Sequence, residues 1–284
     1  MEISTVKLKL QLSRTSLYLF LIVLSIGCLI PFYIMIINGS RTTQAINTGI
    51  TLIPGSNTIG NMKTILIITA NINFFMGFAN STIVAVLATV LHIYIASLTA
   101  YGFVFFRFPF KKLFFGVIMA SIMIPVQLGL VGFYELIQKM NLLDSLLALI
   151  LPAGAVAYTV YFLQQYTKSV LPEYIIEAAR IDGAHNLTIF HRIALPIMSP
   201  GMATMAIFGF VFSWNDFLGP LIILSSKDNY TLPLMIAQLS SSLYARDFGA
   251  IYLAVGLSIF PIIVMFTFLQ RFLISGISFG SLKE

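Results

Sequence analysis

Charge is scarce in this sequence: 9% of its 284 residues are Asp, Glu, Lys or Arg, against about 25% in an ordinary soluble domain. A chain with so few solvated groups cannot cover itself in water. Apolar residues make up 58% and run from end to end, leaving no polar block long enough for a separate soluble domain. Cysteine is almost missing too. Cys28 is the single one and sits in an apolar run, which excludes an intramolecular disulfide and a cysteine-based metal site. The 10 acids are outnumbered by 16 bases, but the bases flank apolar segments instead of forming a stripe, which argues against a nucleic-acid partner. The sequence also lacks a Gly-x-x-x-x-Gly-Lys-Ser/Thr phosphate loop, a His-Glu-x-x-His pair and a Gly-x-Ser-x-Gly elbow. It is therefore expected neither to hydrolyse ATP itself nor to be a membrane-embedded enzyme of those classes.

Long apolar runs are what it has instead. Six of them, at residues 17–37, 79–103, 113–134, 146–166, 197–224 and 249–272, can each cross a hydrocarbon core of about 30 Å as a helix. Helices are expected because a spanning backbone must satisfy its own hydrogen bonds, and these runs lack the alternation of a barrel strand. The predicted fold class is an all-α integral membrane protein of six transmembrane helices, forming a single domain over residues 1–284. Lys7, Lys9 and Arg14 before the first run loosely imitate a secretion signal, but the run continues through Pro31 to Ile37 and predicts a retained helix. Pro31, Pro125, Pro152, Pro220 and Pro261 lie in or beside the runs and predict kinks.

With the N-terminus inside, eleven of the 16 basic residues fall on the inner side; Arg41, Lys63, Lys139, Lys227 and Arg246 fall outside. That excess predicts both termini in the cytoplasm. In the first outer segment, Ile59, Met62, Ile65 and Leu66 recur at helical spacing and predict a short surface helix covering the bundle.

The inner loop at residues 167–196 is the most informative stretch. Pro172 suits a first helical turn, Glu173 favours the positive end of a helix dipole, and Gly183 can end a helix in the left-handed conformation. A short helix, a turn and a second short helix are expected. Ala178 and Ala179 give the first helix a shallow surface, with Glu177, Arg180 and Asp182 as charged contacts, and the pattern reads as a protein-docking face. A lipid-resting amphipathic helix is the alternative, but acids mixed among the bases fit an anionic membrane less well.

At these residues the chain resembles the permease family of ATP-binding-cassette importers. That family's signature is Glu-Ala-Ala, three residues, Gly, nine residues, Ile, one residue, Leu-Pro. Glu177, Ala178, Ala179, Gly183, Ile193, Leu195 and Pro196 match all seven specified positions. The order of six spans, the loop before the fifth, and Trp214-Asn215-Asp216-Phe217 are similar to the carbohydrate branch, the maltose-type inner permeases. The closing Ser275–Glu284 is only loosely similar to the family's glycine-rich tail.

The resemblance implies a type I ABC importer permease fold in a bacterial-type plasma membrane. It implies a second permease subunit, two cytoplasmic ATPases that bind ATP and Mg, an extracellular substrate-binding protein, and a di- or oligosaccharide as substrate. No cofactor is expected on this chain. Glu177, Ala178, Ala179, Arg180, Asp182 and Gly183 are then the candidate ATPase-coupling residues.

Asp216 is the only acid inside an apolar run, and an unpaired carboxylate near the bilayer centre costs about 2.5–3.5 kcal/mol. It must face protein or water. One reading puts Trp214, Asn215 and Asp216 on a translocation path, where hydroxyl-rich substrates meet an indole and hydrogen-bonding groups; the other makes Asp216 an interhelical tie. Gln127 and Tyr158 are further path candidates, or bonds between helices. His92 shares a helix face with Ala85, Ala88 and Ala96, which predicts a hydrogen-bonded packing histidine. His185 and His191, without cysteines nearby, predict no metal site. A proton-coupled secondary transporter is the rival function, since it too needs kinked helices and an intramembrane carboxylate.

Overall fold

The structure, a computed structural model, describes the backbone of residues 2–68, 74–241 and 247–280, and the side chains of 14–66, 74–125, 127–240 and 247–272. Arg246 and the last four residues of the tail, 281–284, lie outside it. Among the described residues every regular element is helical, as a backbone crossing lipid requires.

The chain runs through α1 (Glu2–Gly39), α2 (Thr43–Asn47), α3 (Thr58–Ile68), α4 (Phe74–Phe105), α5 (Lys111–Ile122), α6 (Leu130–Lys139), α7 (Leu147–Ile150) and α8 (Ala157–Val170). It continues through α9 (Glu173–Ile181), α10 (Asn186–Ile189), α11 (Leu195–Trp214), α12 (Leu218–Ile223), α13 (Leu232–Ser241), α14 (Phe248–Ser258) and α15 (Phe260–Gly280). Four stretches, Arg14–Gly39, Phe74–Phe105, Asn186–Trp214 and Phe248–Phe272, are each long and apolar enough to cross a membrane, and two bent pairs bring the number to six.

The bent pairs replace the single helices expected at 113–134 and 146–166. Proline is the cause in the first, and an extended Val156, φ −93° and ψ 99°, makes the break in the second. Pro125 has φ −60° and ψ 126° and opens a 3-10 turn, Val126–Gly129, between α5 and α6. Its missing N–H and its ring, which drives Ile124 out of the helical region, stop α5, and the two arms meet at 94°. Pro152 lies at the start of the 3-10 turn Leu151–Ala155, and α7 with that turn meets α8 at 43°. The fifth span is displaced as well. It starts in the loop at Asn186 and ends at Trp214, because residues 215–217 leave the helix before α12 resumes at Leu218.

The residues group into two compact units. In the first, Met1–Ala70 with Ile236–Ile259, α1 and α14 approach closely at Gly39, where a Cβ would lie 3.2 Å from the Leu253 backbone. The predicted surface helix is α3. It seats Ile65 and Asn61 inward while Ile59 stays exposed, and Asn61 Nδ2 donates to the carbonyls of Gly39 at 2.8 Å and Arg41 at 2.9 Å. Arg41, expected among the outer basic residues, is buried. Its guanidinium donates to Asn38 Oδ1 at 3.2 Å, to the Gly49 carbonyl at 3.1 Å and to the Ala45 carbonyl.

In the second unit, Asn71–Met235 with Phe260–Glu284, α4 is central and packs against α8 and α11. Ala85, Ala88, Ala96 and Ala100 are buried along it, small residues that let helices close up. His92 lies on that face, its Nε2 2.6 Å from Thr159 Oγ1 of α8. Gly209 of α11 leaves room for the imidazole, since a Cβ there would be 2.5 Å from Nδ1. Towards the end of α4, Tyr101, Phe105, Leu163, Ile176, Phe190 and Met198 form one apolar core.

Candidate functional site

α9 sits on that core, and its ends are set by the residues the sequence points to. Pro172 precedes it in extended conformation, φ −65° and ψ 143°, and Glu173 occupies the first turn. Asp182 N–H donates to the Ala178 carbonyl, Gly183 N–H to Arg180 and Ala184 N–H to Ala179, each at 3.0 Å. The last two bonds are the paired closure of a Schellman cap, which needs a left-handed residue. Gly183 supplies it with φ +80°.

The helix has two faces. Ile176 and Ala179 point into the core, Ala179 at 8% exposure. Tyr174 at 69% and Ile181 at 86% are bare, with Glu177, Ala178 and Asp182 exposed beside them. Ala179 is therefore a packing residue and not part of the shallow outer surface expected of it: it lies three residues after the buried Ile176, on the same face of the helix. Arg180 is exposed but turned along the helix end. Its Nη2 donates to the Phe105 carbonyl at 3.5 Å, and Cζ lies 5.4 Å from the Phe106 ring centre. It ties α9 to the end of α4, while Tyr174, Ala178 and Ile181, at i, i+4 and i+7, make one unpartnered apolar stripe.

The candidate path residues have separate surroundings. Trp214 is 2% exposed, stacked on Phe210 at 5.8 Å and edge-on to Phe78 at 5.6 Å. Its indole is buried against those two rings, on the inner side of the end of α11. Asn215 is exposed and donates through Nδ2 to the Val211 carbonyl at 2.9 Å. Asp216 Oδ1 accepts the Gly219 N–H at 3.2 Å in the first turn of α12, a local capping bond where an interhelical tie was the other reading. Gln127 is exposed in the turn between α5 and α6, and Tyr158 is exposed at the start of α8 with its ring 6.3 Å from His92.

A second polar assembly escaped sequence reasoning. Asp144, between α6 and α7, has φ +58°. Its Oδ1 accepts the N–H groups of Ser225 at 3.0 Å and Ser226 at 2.9 Å, and Oδ2 accepts the Ser226 hydroxyl. Its carbonyl accepts Asn229 Nδ2 at 2.6 Å. The Ser226 hydroxyl, helped by the two backbone N–H groups, holds the Asp144 carboxyl down at about 2. Asn80 of α4 fastens the same stretch, donating to the carbonyls of Asp228 at 2.7 Å and Tyr230 at 3.0 Å, and Ser81 Oγ accepts the Leu232 N–H at 2.8 Å. The available signal was weak: Asn141 and Asp144 are residue types that tolerate left-handed backbone, and both adopt it.

Comparison with known proteins bears on this geometry. Residues 92–279 match the family model described as binding-protein-dependent transport system inner membrane component. The chain is similar to the arabinooligosaccharides transport system permease protein AraQ of Halalkalibacterium halodurans, 34% identical over 85% of this chain and 86% of that one. It is also similar to the sn-glycerol-3-phosphate transport system permease protein UgpE of Pectobacterium atrosepticum, 31% identical over 92% of this chain and 94% of that one. In fold it resembles a chain of a bacterial ABC transporter involved in the import of the acidic polysaccharide alginate, with TM-score 0.79 and 17% identity over 92% of this chain and 96% of that one.

Proposed function

Because this chain belongs to the family of binding-protein-dependent transport system inner membrane components, we propose that it forms half of the translocation pathway of a sugar importer and couples to a cytoplasmic ATPase through α9. It is a membrane permease subunit of an ATP-driven importer, not an enzyme. Membership brings with it, in general, another permease, an ATPase and a binding protein. The finer reading is a heterodimer with a second permease, two ATPase subunits that carry ATP and Mg, an extracellular binding protein, and both termini in the cytoplasm.

The observation that carries the docking reading is the bare stripe Tyr174, Ala178 and Ile181 on a helix whose other face is locked into the core. An apolar surface of this kind, rimmed by Glu177 and Asp182, fits a protein cleft. Sugar as the cargo is supported by the names of the relatives, with di- or oligosaccharide favoured and glycerol phosphate kept as the nearest alternative. The test is uptake in vesicles containing the full assembly and its binding protein, with arabinooligosaccharide and glycerol 3-phosphate as probes. Uptake that follows ATP supports the importer reading, and uptake that follows a proton gradient without ATP removes it. Saturable uptake of glycerol 3-phosphate alone removes the sugar assignment.

A further inference from the structure

The chain joins α10 to α11 by a π-helical turn, Phe190–Ala194, closed by a bond from the Leu195 N–H to the Phe190 carbonyl. Its cause is local. Pro196 has no N–H, so the Arg192 carbonyl loses its α-type donor, and the proline ring crowds that same carbonyl. The turn widens around the gap. Wide turns of this kind interrupt the regular ladder of an α-helix and recur at functional sites, and weakly bonded backbone is where local opening starts.

His191, inside this turn, is held from two sides. Nδ1 lies 2.7 Å from the Leu187 carbonyl of α10. A carbonyl only accepts, so Nδ1 carries the proton, and Nε2 accepts the Tyr94 hydroxyl of α4 at 3.1 Å. The His191 and Tyr94 rings lie 6.0 Å apart, tilted by 30°. Phe190 meets the rings of Tyr94 at 6.2 Å and Tyr101 at 5.3 Å, so the turn is clamped to α4 on two adjacent residues.

The neighbourhood is incompletely bonded. The Tyr101 hydroxyl is buried with no hydrogen-bond partner among the described residues. Arg180, at the α9 end, reaches the Phe105 carbonyl only at 3.5 Å. Buried polar groups are ordinarily satisfied, so an orphan beside a long bond is a weak point in the bonding of this junction.

We propose that the Phe190–Ala194 turn is the hinge through which movement of α9 reaches α11, and that His191 is the positioning residue that latches it to α4 through Tyr94. The inference rests on the reading of α9 as the ATPase-docking helix. With the latch made, α11 moves together with α4; with it broken, α9 and α11 shift against each other and the movement is dissipated in the turn.

The test uses the full assembly in vesicles, with Cys28→Ser and Phe212→Cys introduced so that one exposed position on α11 reports its movement. ATP with vanadate is the probe, so no sugar is needed. The readout is the ratio of labelling rates at position 212 with and without the probe. Tyr94→Phe and His191→Phe each remove the latch without touching the bare face of α9. Both are expected to leave ATPase co-purification and the thermal midpoint unchanged. Both should reduce the labelling ratio by about two- to tenfold, the range over which one net hydrogen bond acts on an equilibrium. The double variant should be no worse than either single one, because two residues acting through one bond cannot lose it twice. An unchanged ratio in both variants overturns the hinge. So does a double variant whose loss is the product of the singles, or a ratio that falls only in step with a lowered thermal midpoint. Ala178→Trp separates the two readings. If it leaves the ATPase bound, the docking reading fails; if it releases the ATPase while the latch variants respond normally, only the hinge fails.

Discussion

The α9 loop and the Asp144 assembly are both short polar connections between helices, and their surfaces are finished in opposite ways. Around Asp144, the carboxylate accepts the N–H groups of Ser225 and Ser226, and its own carbonyl accepts the Asn229 side-chain amide. Around α9 the C-terminal backbone is closed by its cap, but Tyr174 and Ile181 are left bare. A connection that only has to hold its shape saturates its polar groups. One that has to receive another protein also keeps apolar area out of its own core, a feature that isolated surface residues do not need.

The contrast breaks most readily at Ala178. Tryptophan there would fill the shallow middle of the bare stripe, and Ala178→Trp is expected to cut ATPase retention on co-purification by about tenfold or more, the scale of a hot-spot loss. Asp144→Ala in the same assay should retain the ATPase fully. Equal losses in both would mean that co-purification reads general stability and that the two regions do not differ in role.

Gly183→Val comes next. A Cβ at Gly183 would meet nothing within 4 Å, so the cost is conformational, about 1–2 kcal/mol for a side chain in the left-handed region. The cap must then rearrange and tilt the stripe. ATPase-dependent uptake should fall while insertion in the membrane is unchanged, with Gly183→Asn milder because asparagine visits that region more readily. Full uptake in the valine variant would show that the tilt of α9 is immaterial.

Gly183 was legible in the sequence because one residue type and one backbone conformation go together. Pro172 and Pro125 were legible for the same reason, although Pro125 makes a full break where a kink was expected. The direction in which a side chain points was not legible. Whether Ala178 or Ala179 faces in depends on which side of α9 meets the core that holds Phe190 and Leu163, residues outside the helix itself. Trp214 is a path candidate because an indole suits sugars. Its enclosure depends on Phe78, whose approach from α4 no local pattern announces. The Asp144 assembly joins residues 81 and 82 positions apart, and a net of that kind is invisible to periodicity. Arg41 shows a limit of charge counting: the side rule uses it as an outer cation, while its guanidinium is buried among carbonyls.

A smaller effect is expected at Asp216. Its bond to the Gly219 N–H is the kind of helix-start contact whose loss costs about 1 kcal/mol. Asp216→Ala should lower the thermal midpoint by a few degrees, and Asp216→Asn, which can still accept, should lower it less. Normal stability in both variants with reduced uptake would return Asp216 to the translocation path, and with it the polar groups near the end of α11.

The smallest effect is the acid dependence of the Asp144 assembly. Its carboxyl is held at about 2 in the folded protein against 3.8 for the free group, chiefly by the Ser226 hydroxyl. A depressed folded value means the folded state favours the charged form. The contribution is therefore fully present above about pH 4, where the unfolded carboxyl is also ionised, and is lost as the pH falls through about 2. Asp144→Asn lacks the titration and serves as the reference. In detergent, the difference in thermal midpoint between the natural protein and this variant should be constant from pH 7 to pH 5, shrink below pH 4 and reach its minimum near pH 2. Because the carboxylate is partly exposed, solvent and salt screen it, and the whole change should be no more than a few degrees. A difference that stays constant down to pH 2 would show that hydrogen-bond geometry alone, without the negative charge, holds residues 225–229 in place.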